Sequence, residues 1–295
     1  MSTSALRGTT WRATLLVALA ACGFGSISVL MVIGQRHGLT LANAMAWRYT
    51  LAAPFLLLIA GAGMQAVTRP RALALLAAGG AGQVAISGIS LSALRWLDVA
   101  TLSFLFYTFP AWVALLSVMR GLERVGVRKT IALALALGGL GVIIGAPRAS
   151  ALPAAGVACA LGAAFIYAAY IPLLHWMRGP LSASAASALV IAGAGIVFAI
   201  IAAWRGTLHA DMPSAAWAVI VALALGSTVI TFIAFLNGLA VLGPVRTAII
   251  STIEPFYTTL LGALVLGQRV GPGTLLGGVM IAAAVLLLQH QPATS

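Results

Sequence analysis

The chain has 295 residues, of which 62% are hydrophobic and 7% are charged, and its formal net charge is +12. Soluble domains contain roughly 45–50% apolar and about 25% charged residues, so this composition excludes a water-soluble fold. The basic residues occur singly or in pairs between apolar stretches, which argues against a nucleic-acid partner and is typical of charges that orient membrane helices.

Apolar runs separated by short clusters of Gly, Pro and Arg predict ten membrane-spanning helices, because roughly 20 apolar residues cross a bilayer core. The first half of the chain, residues 1–148, contains the predicted spans 12–34, 41–61, 72–94, 99–119 and 130–146. The second half, residues 149–295, contains 154–176, 184–204, 215–237, 245–266 and 273–289. We therefore expect an all-α integral membrane protein with two five-helix domains.

The distribution of basic residues predicts the orientation of these spans. Counted from a cytoplasmic amino terminus, the inner segments hold most of them: Arg7, Arg12, Arg69, Arg71, Arg120, Arg124, Arg128, Lys129, Arg178 and Arg246. The outer segments hold only Arg36, Arg95, Arg148, Arg205 and Arg269. Since cytoplasmic loops carry the excess of Lys and Arg, we expect both termini in the cytoplasm.

An internal repeat relates the two halves. A shift of 145 residues places Pro110 on Pro255, and it also aligns Leu94 with Leu239, Leu97 with Leu242, Leu115 with Leu260 and Glu123 with Gln268. Because each half has five predicted spans, an odd number, the second half must enter the membrane upside down. Inverted repeats of this kind are typical of transporters.

Several short motifs resemble those of the drug/metabolite transporter superfamily, specifically its ten-span exporters with two EamA-type domains. In the second half, Glu254-Pro255 opens an apolar stretch that ends in Leu266-Gly267-Gln268, and Gly277 follows. The first half has Pro110, Glu123 and Gly139, and its second span contains Trp47-Arg48-Tyr49.

Two positions depart from that family pattern. Gln268 stands where the family usually has an acid, and Phe24-Gly25 stands where the first span usually has Trp-Gly. The resemblance implies a metabolite exporter in a bacterial cytoplasmic (inner) membrane. It leaves the substrate open, because one fold serves many substrates.

Glu254 is the one acid predicted at membrane depth, since Asp98, Glu123 and Asp211 fall in predicted loops. It lies roughly 14 Å into its span, near the bilayer midplane. A carboxylate there costs at least about 2.5 kcal/mol, so it should face a cavity or a cation. A fixed internal pair, or a protonated acid that bonds the backbone freed by Pro255, stays open as a structural alternative.

Arg48 lies about 10 Å into the second predicted span. That depth favours a side chain that snorkels to the outer surface. A salt bridge to Glu254 and the capture of a substrate carboxylate stay open as alternatives.

Polar and aromatic faces predict a substrate cavity where the halves meet. Thr247, Ser251, Glu254 and Thr258 follow helical spacing on the ninth span, and their counterparts on the fourth are Leu102, Phe106, Phe109 and Val113. Such a cavity suits a neutral or zwitterionic ligand with an apolar body. Tyr170 could add a further ring; the candidate binding residues are Gln83, Ser87, Ser90, Phe106, Tyr107, Phe109, Tyr167, Phe232, Phe235, Ser251, Glu254 and Tyr257.

A purely structural interpretation of these faces also stays open. The Phe rings could face lipid, and the Ser and Thr hydroxyls could bond their own helix. Pro110 and Pro255 would bend the fourth and ninth spans, either as moving hinges or as static kinks.

These observations favour a secondary transporter that exports a small metabolite by alternating access. An aromatic or large apolar amino acid is the expected substrate, and a multidrug or other metabolite exporter of the same fold is the alternative. We expect the lipid bilayer as a partner, protons as a candidate coupling ion, no cofactor and no metal; a monomer is compatible with the sequence.

Two other classes fit poorly. An intramembrane enzyme would need a nucleophile with a His at membrane depth, or a metal-ligand cluster, and neither motif is present. A channel would need filter loops, and the predicted loops are too short to provide them.

Overall fold

The structure is a computed structural model that describes residues 3–93, 95–97, 99–121, 124–144, 152–267 and 270–289. Within these ranges the chain is helical apart from short turns, and it contains no strand. The α-helices are α1 (Thr3–Arg36), α2 (Leu41–Ala60), α3 (Arg69–Ala77), α4 (Gln83–Ala93), α5 (Val99–Phe106), α6 (Phe109–Met119), α7 (Val127–Ile144), α8 (Ala154–Arg178), α9 (Ala183–Trp204), α10 (Ser214–Val221), α11 (Thr231–Ser251), α12 (Ile253–Leu266) and α13 (Pro272–Gln289). The all-α class is confirmed.

Six helical stretches of the described chain are long and apolar enough to cross a bilayer, so this is a multi-pass membrane protein. They are Thr9–Arg36, Leu41–Ala66, Arg69–Ser90, Ala154–Arg178, Ala183–Trp204 and Ser214–Ser251. The other predicted runs form shorter helices. The run 99–119 is divided between α5 and α6. The backbone of α11 is non-helical at Gly243 (φ 75°, ψ 171°), and the run 245–266 is divided between the part of α11 after that kink and α12.

The 145-residue shift found in the sequence also relates the observed helices. It moves α7 (Val127–Ile144) to positions 272–289, the bounds of α13. It moves the π-helical segment Ala78–Gly82 to 223–227, inside a second π-helical segment, Ala222–Ile230. The same wide turn thus recurs at the same place in both halves. Leu94, Glu123 and Gln268, which supported the alignment, lie outside the described residues.

The contacts between helices are reciprocal between the halves. Helix α2 packs against α9 and α7 against α13, so in each case an element meets its own counterpart. Helix α1 packs against α11 and α12, while its counterpart α8 packs against α4 and α6. The same pairs of helices are in contact when the two halves are interchanged, which indicates an approximate two-fold relation. These contacts bury each half against the other.

Both predicted prolines lie just after an interruption in a helix. Proline has no N–H and its ring clashes with the carbonyl four residues earlier. Four residues before Pro110 is Phe106, where α5 ends, and four before Pro255 is Ser251, where α11 ends. New helices start at Phe109 and at Ile253. The chain therefore breaks at both sites rather than bending through a continuous helix.

Glycines allow α9 to cross the first π-helical segment with backbones in contact. A Cβ built on Gly79 would overlap the Val190 carbonyl oxygen, and one built on Gly193 would overlap the Leu76 carbonyl oxygen. Small residues let membrane helices approach this closely. We call this contact of α9 with Ala78–Gly82 the glycine crossing.

Polar groups near one end of α2 bind the chain that leads into the second π-helical segment. The Asn43 Nδ2 amide donates to the His209 carbonyl (3.1 Å), and the Trp47 indole N–H donates to the same oxygen (3.0 Å). The Trp47 and Trp217 rings meet at 5.0 Å. These bonds fix the connection between α9 and α10 onto α2.

Substituting Gly193 tests the glycine crossing. We expect Gly193→Ala to lower the unfolding temperature of the purified protein by several degrees, because overpacking costs about 1–3 kcal/mol. The measurement is a thermal unfolding curve in detergent.

Gly162→Ala in α8 is the matched control, since a Cβ there meets no atom within 4 Å. Alanine is the better helix former by about 1 kcal/mol, so this change should leave stability equal or higher. Equal losses in both variants would contradict the close crossing.

Candidate functional site

A cavity of about 290 Å³ lies at the centre of the molecule where the halves meet. Its walls come from both halves: α1, α2, α4, α5 and α6 on one side and α8, α11 and α12 on the other. The interrupted helices contribute directly, since Phe109 is the first residue of α6 and Glu254 lies in the first turn of α12.

Eight of the twelve predicted binding residues line this cavity. They come from five stretches far apart in sequence, and they are Gln83, Ser87, Phe106, Phe109, Tyr167, Phe232, Phe235 and Glu254. The four Phe rings face the cavity rather than lipid.

Four predicted residues lie elsewhere, each for a visible reason. Ser251 is buried and its hydroxyl donates to the Thr247 carbonyl (2.9 Å), because the helix ends there and the polar face does not continue to Glu254. Tyr257 lines a second groove on the other side of α1, beside Cys22. Ser90 lies beyond Ser87, outside the cavity lining.

Tyr107, the fourth, lies in the turn between α5 and α6. Its ring packs against Phe106 (5.8 Å) and Phe109 (6.1 Å), behind the cavity wall. Its hydroxyl interacts with the Glu254 carboxylate. Tyr107 therefore supports the site through Glu254.

The expected single face on the ninth span was wrong in its extent. Thr258 donates instead to the Gly25 carbonyl (2.9 Å), which joins α12 to α1, and Thr247 is buried. Of that face only Glu254 reaches the cavity. The helix is interrupted at Thr252 (φ −66°, ψ −7°), which lies between Ser251 and Glu254.

Sequence reasoning missed six of the lining residues and did not place Arg48 or Tyr170 among the candidate binding residues. The missed ones are Phe24, Ile27, Met45, Tyr49, Ile171 and Leu174. Tyr49 had a usable signal, since it adjoins an arginine inside a membrane span. The others are ordinary apolar residues in apolar helices, so no local pattern distinguishes them.

Aromatic residues make up half of the cavity lining. Phe109 and Tyr167 meet edge to face at 4.8 Å, and Phe106 stacks on Tyr167 at 5.5 Å. Across the cavity, Phe24 meets Phe232 edge to face at 5.4 Å. Such pairs fix the ring positions, so the apolar part of the cavity is preformed.

Arg48 does not snorkel to the surface, and that expectation was wrong. Its side chain is 3% exposed, Nε donates to the Thr228 hydroxyl (2.6 Å) and Nη2 donates to the Ser227 carbonyl (3.2 Å). The guanidinium also lies over the Tyr49 ring, 4.9 Å from its centroid. The second π-helical segment supplies both acceptors and draws the side chain inward, where it lines the cavity.

The Tyr170 hydroxyl is a further polar group at the cavity. The residue is 5% exposed, and its oxygen has no hydrogen-bond partner among the described residues. The Gln83 side chain lies within interaction distance of that hydroxyl. Since buried hydroxyls are normally bonded, Tyr170 and Gln83 form a polar pair in the cavity wall that a ligand can contact.

The site contains a carboxylate, a guanidinium, an amide and hydroxyls, set in aromatic walls. Within the described ranges no group of three or more His, Cys, Asp or Glu residues could hold a metal ion. The arrangement can bind a small polar or charged group together with an apolar body.

Fold and cavity together define a multi-pass helical membrane protein built from two related halves with a cavity between them. The model of the EamA-like transporter family matches residues 11–145 and 154–289. The chain belongs to the EamA-like transporter family. Its members are transporters rather than enzymes, which implies a small-molecule substrate and a bilayer as surroundings.

Solved structures share this fold. Among 27 matching chains, a protein of known crystal structure has a TM-score of 0.76 at 17% sequence identity, covering 93% of this chain and 95% of its own. At that identity the likeness shows the fold alone. No curated protein matches the sequence.

Proposed function

We propose that the protein is a secondary transporter that exports an aromatic or large apolar amino acid by alternating access. The observation that carries the proposal is the cavity between the halves, in which aromatic walls surround a few polar and charged groups. Aromatic walls suit an apolar side chain, and the polar groups suit the backbone of a free amino acid.

The size of the cavity supports this substrate class. Pockets for drug-sized ligands have volumes of about 300–1,000 Å³, and this cavity, at about 290 Å³, lies at the lower limit. A single amino acid fits such a volume better than a multidrug substrate does.

We further propose ten spans in two inverted repeats, with both termini in the cytoplasm of a bacterial inner membrane. The reciprocal packing of α2 with α9 and of α7 with α13 supports a two-fold relation. An axis in the membrane plane would make that relation an inversion. In this arrangement α5 with α6, and the end of α11 with α12, each form one broken span.

The two π-helical segments supply a pair of gates in the proposed mechanism. With a cytoplasmic amino terminus, the glycine crossing lies on the inner side and the α2 contact on the outer side. Ile171 and Leu174 are buried on the inner side, whereas Ile27, Met45 and Ser87 on the outer side are half-buried. These exposures support an outward-facing state, from which an exporter releases its substrate.

Pro110 and Pro255 act in this proposal as hinges. The breaks at Tyr107–Thr108 and Thr252 lie beside the cavity, and each lacks the backbone bond that proline removes. Rotation at these points would move α6 and α12 while α5 and the end of α11 keep their packing.

Flux measurements test the substrate class. Proteoliposomes loaded with labelled phenylalanine, tryptophan or leucine should release them faster than protein-free liposomes do, while lysine and aspartate should be retained. Phe106→Ala in the cavity wall should slow phenylalanine efflux, because it removes ring contacts to Tyr167 and Phe109.

Leu264→Ala is the control for that variant, since Leu264 is 85% exposed on α12 and remote from the cavity lining. It should transport at the wild-type rate. If no amino acid moves through the wild type, the proposed substrate class is wrong.

Labelling of introduced cysteines tests the topology. In a background with Cys22→Ala and Cys159→Ala, we expect His37→Cys and Arg205→Cys to react with a membrane-impermeant maleimide on intact cells. Gln65→Cys and Arg120→Cys should react only after permeabilisation, because their loops follow an even number of spans counted from a cytoplasmic amino terminus. All four original residues are exposed. Labelling of both pairs from one side would contradict the ten-span arrangement.

A further inference from the structure

We propose that Arg48 and Glu254 are the two charged contacts of a zwitterion site, in which Arg48 binds the α-carboxylate of the substrate and Glu254 binds its ammonium group. The inference rests on the proposed function and assigns the recognition of the amino-acid backbone to named atoms. The aromatic walls then select the side chain.

Arg48 has donors to spare where it faces the cavity. A guanidinium has five N–H donors. One on Nε and one on Nη2 bond Thr228 and Ser227, and Nη1 has only the Met45 sulfur at 3.9 Å. Planar pairs of N–H groups match a carboxylate in two parallel bonds. The unsatisfied donors therefore suit a carboxylate ligand.

The charge of Arg48 has no carboxylate partner in the part of the chain that the structure describes. Its side chain is 3% exposed, and both of its close acceptors are uncharged. A buried charge without a counter-charge is costly in a low-dielectric interior. A substrate carboxylate would supply the missing counter-charge.

Glu254 lines the same cavity, yet it forms no ion pair with Arg48. Two opposite charges in one low-dielectric cavity attract strongly. They are kept apart because Thr228 and Ser227 hold the guanidinium against the second π-helical segment, while the first turn of α12 fixes Glu254 next to Tyr107. A zwitterion placed between them would satisfy both charges at once.

The repeat shows that the scaffold does not need either charge. The 145-residue shift carries Arg48 onto Gly193, where α9 makes the glycine crossing with no room for a side chain. It carries Phe109 onto Glu254, and both begin the second part of a broken helix. Each charged residue thus has an uncharged counterpart in an equivalent structural position. The charges serve something other than the packing that the two halves share.

Arg48 also connects the two halves of the protein. Its two acceptors lie on Ala222–Ile230, so the guanidinium joins α2 to the other half of the protein. A carboxylate that takes the free donors would sit at this contact. Substrate binding and the outer α2 contact therefore share one side chain.

Equilibrium binding of three compounds to the purified protein tests the assignment. L-Phenylalanine carries both charged groups, phenylalaninamide lacks the carboxylate and 3-phenylpropanoate lacks the ammonium. Isothermal titration should show that the wild type binds each analogue at least about tenfold more weakly than phenylalanine.

Variants should then reveal which charged group of the ligand each residue binds. Arg48→Gln should weaken phenylalanine binding about tenfold or more and leave phenylalaninamide binding unchanged. Glu254→Gln should weaken phenylalanine binding and leave 3-phenylpropanoate binding unchanged. A variant that weakens the binding of phenylalanine, but not of the analogue lacking one charged group, identifies that group as the partner of the substituted residue.

Four controls separate recognition from folding. Thr228→Val removes the bond to Arg48 Nε but keeps the charge, so the preference for phenylalanine over its amide should survive. Arg205→Gln, in an exposed loop, should change nothing. Size-exclusion profiles check that each variant is folded, and Arg48→Lys should restore part of the preference if Arg48→Gln is unstable.

The results that overturn the proposal differ from those that overturn the proposed function. If the wild type moves amino acids in proteoliposomes but Arg48→Gln weakens all three compounds equally, Arg48 is structural and the zwitterion assignment fails alone. If the wild type binds phenylalanine no better than its two analogues, the assignment also fails. If the wild type neither moves nor binds any amino acid, both the proposed function and the zwitterion assignment are wrong.

Discussion

In a bilayer core no water is available to bond free backbone groups, so an interrupted helix is tolerated only where it is buried in protein or lines a cavity. This constraint organises the molecule around Pro110 and Pro255. Each proline leaves unpaired the carbonyl four residues before it, the preceding helix ends at that residue, and the halves enclose both breaks between them. The cavity lies where the breaks are, and the first turns beyond them present Phe109 and Glu254 to it.

The packing of the helices is similar in the two halves, whereas the charged residues of the cavity differ between them. Packing is shared: α2 meets α9, α7 meets α13, and a π-helical segment recurs in each half. Chemistry is not shared, because Arg48 has Gly193 as its counterpart and Glu254 has Phe109. In one half the π-helical segment packs against α9 by backbone contact, and in the other it is joined to α2 by the Arg48 side chain. In the proposed mechanism that difference links the substrate to one gate.

Much of the fold could be predicted from the sequence, because membrane helices must be long, apolar and separated by breakers. The predicted runs 41–61 and 184–204 nearly coincide with α2 and α9. The interruption at Thr252 was missed, since helical spacing alone does not show that proline ends the helix rather than bending it. The polar face through Ser251 and Glu254 was therefore assumed to be continuous.

The candidate site was only partly predictable, for a physical reason. Comparing the halves identified Glu254 and the Phe rings, because a polar residue opposite an apolar counterpart stands out. Ile171 and Leu174 carry no such signal, and their place in the cavity depends on how α8 packs against the other half. The direction of Arg48 was also undetermined, since depth alone does not reveal the acceptors at Ser227 and Thr228.

Protection of an introduced thiol by substrate tests the central claim, that the cavity between the halves is the transport site. In the background lacking Cys22 and Cys159, Ser87→Cys would place a half-buried thiol in the cavity lining. The rate of its alkylation by a small maleimide should fall several-fold in saturating L-phenylalanine, while alanine at the same concentration should have little effect. An unchanged rate with phenylalanine, in protein that still transports it, would place the transport site elsewhere.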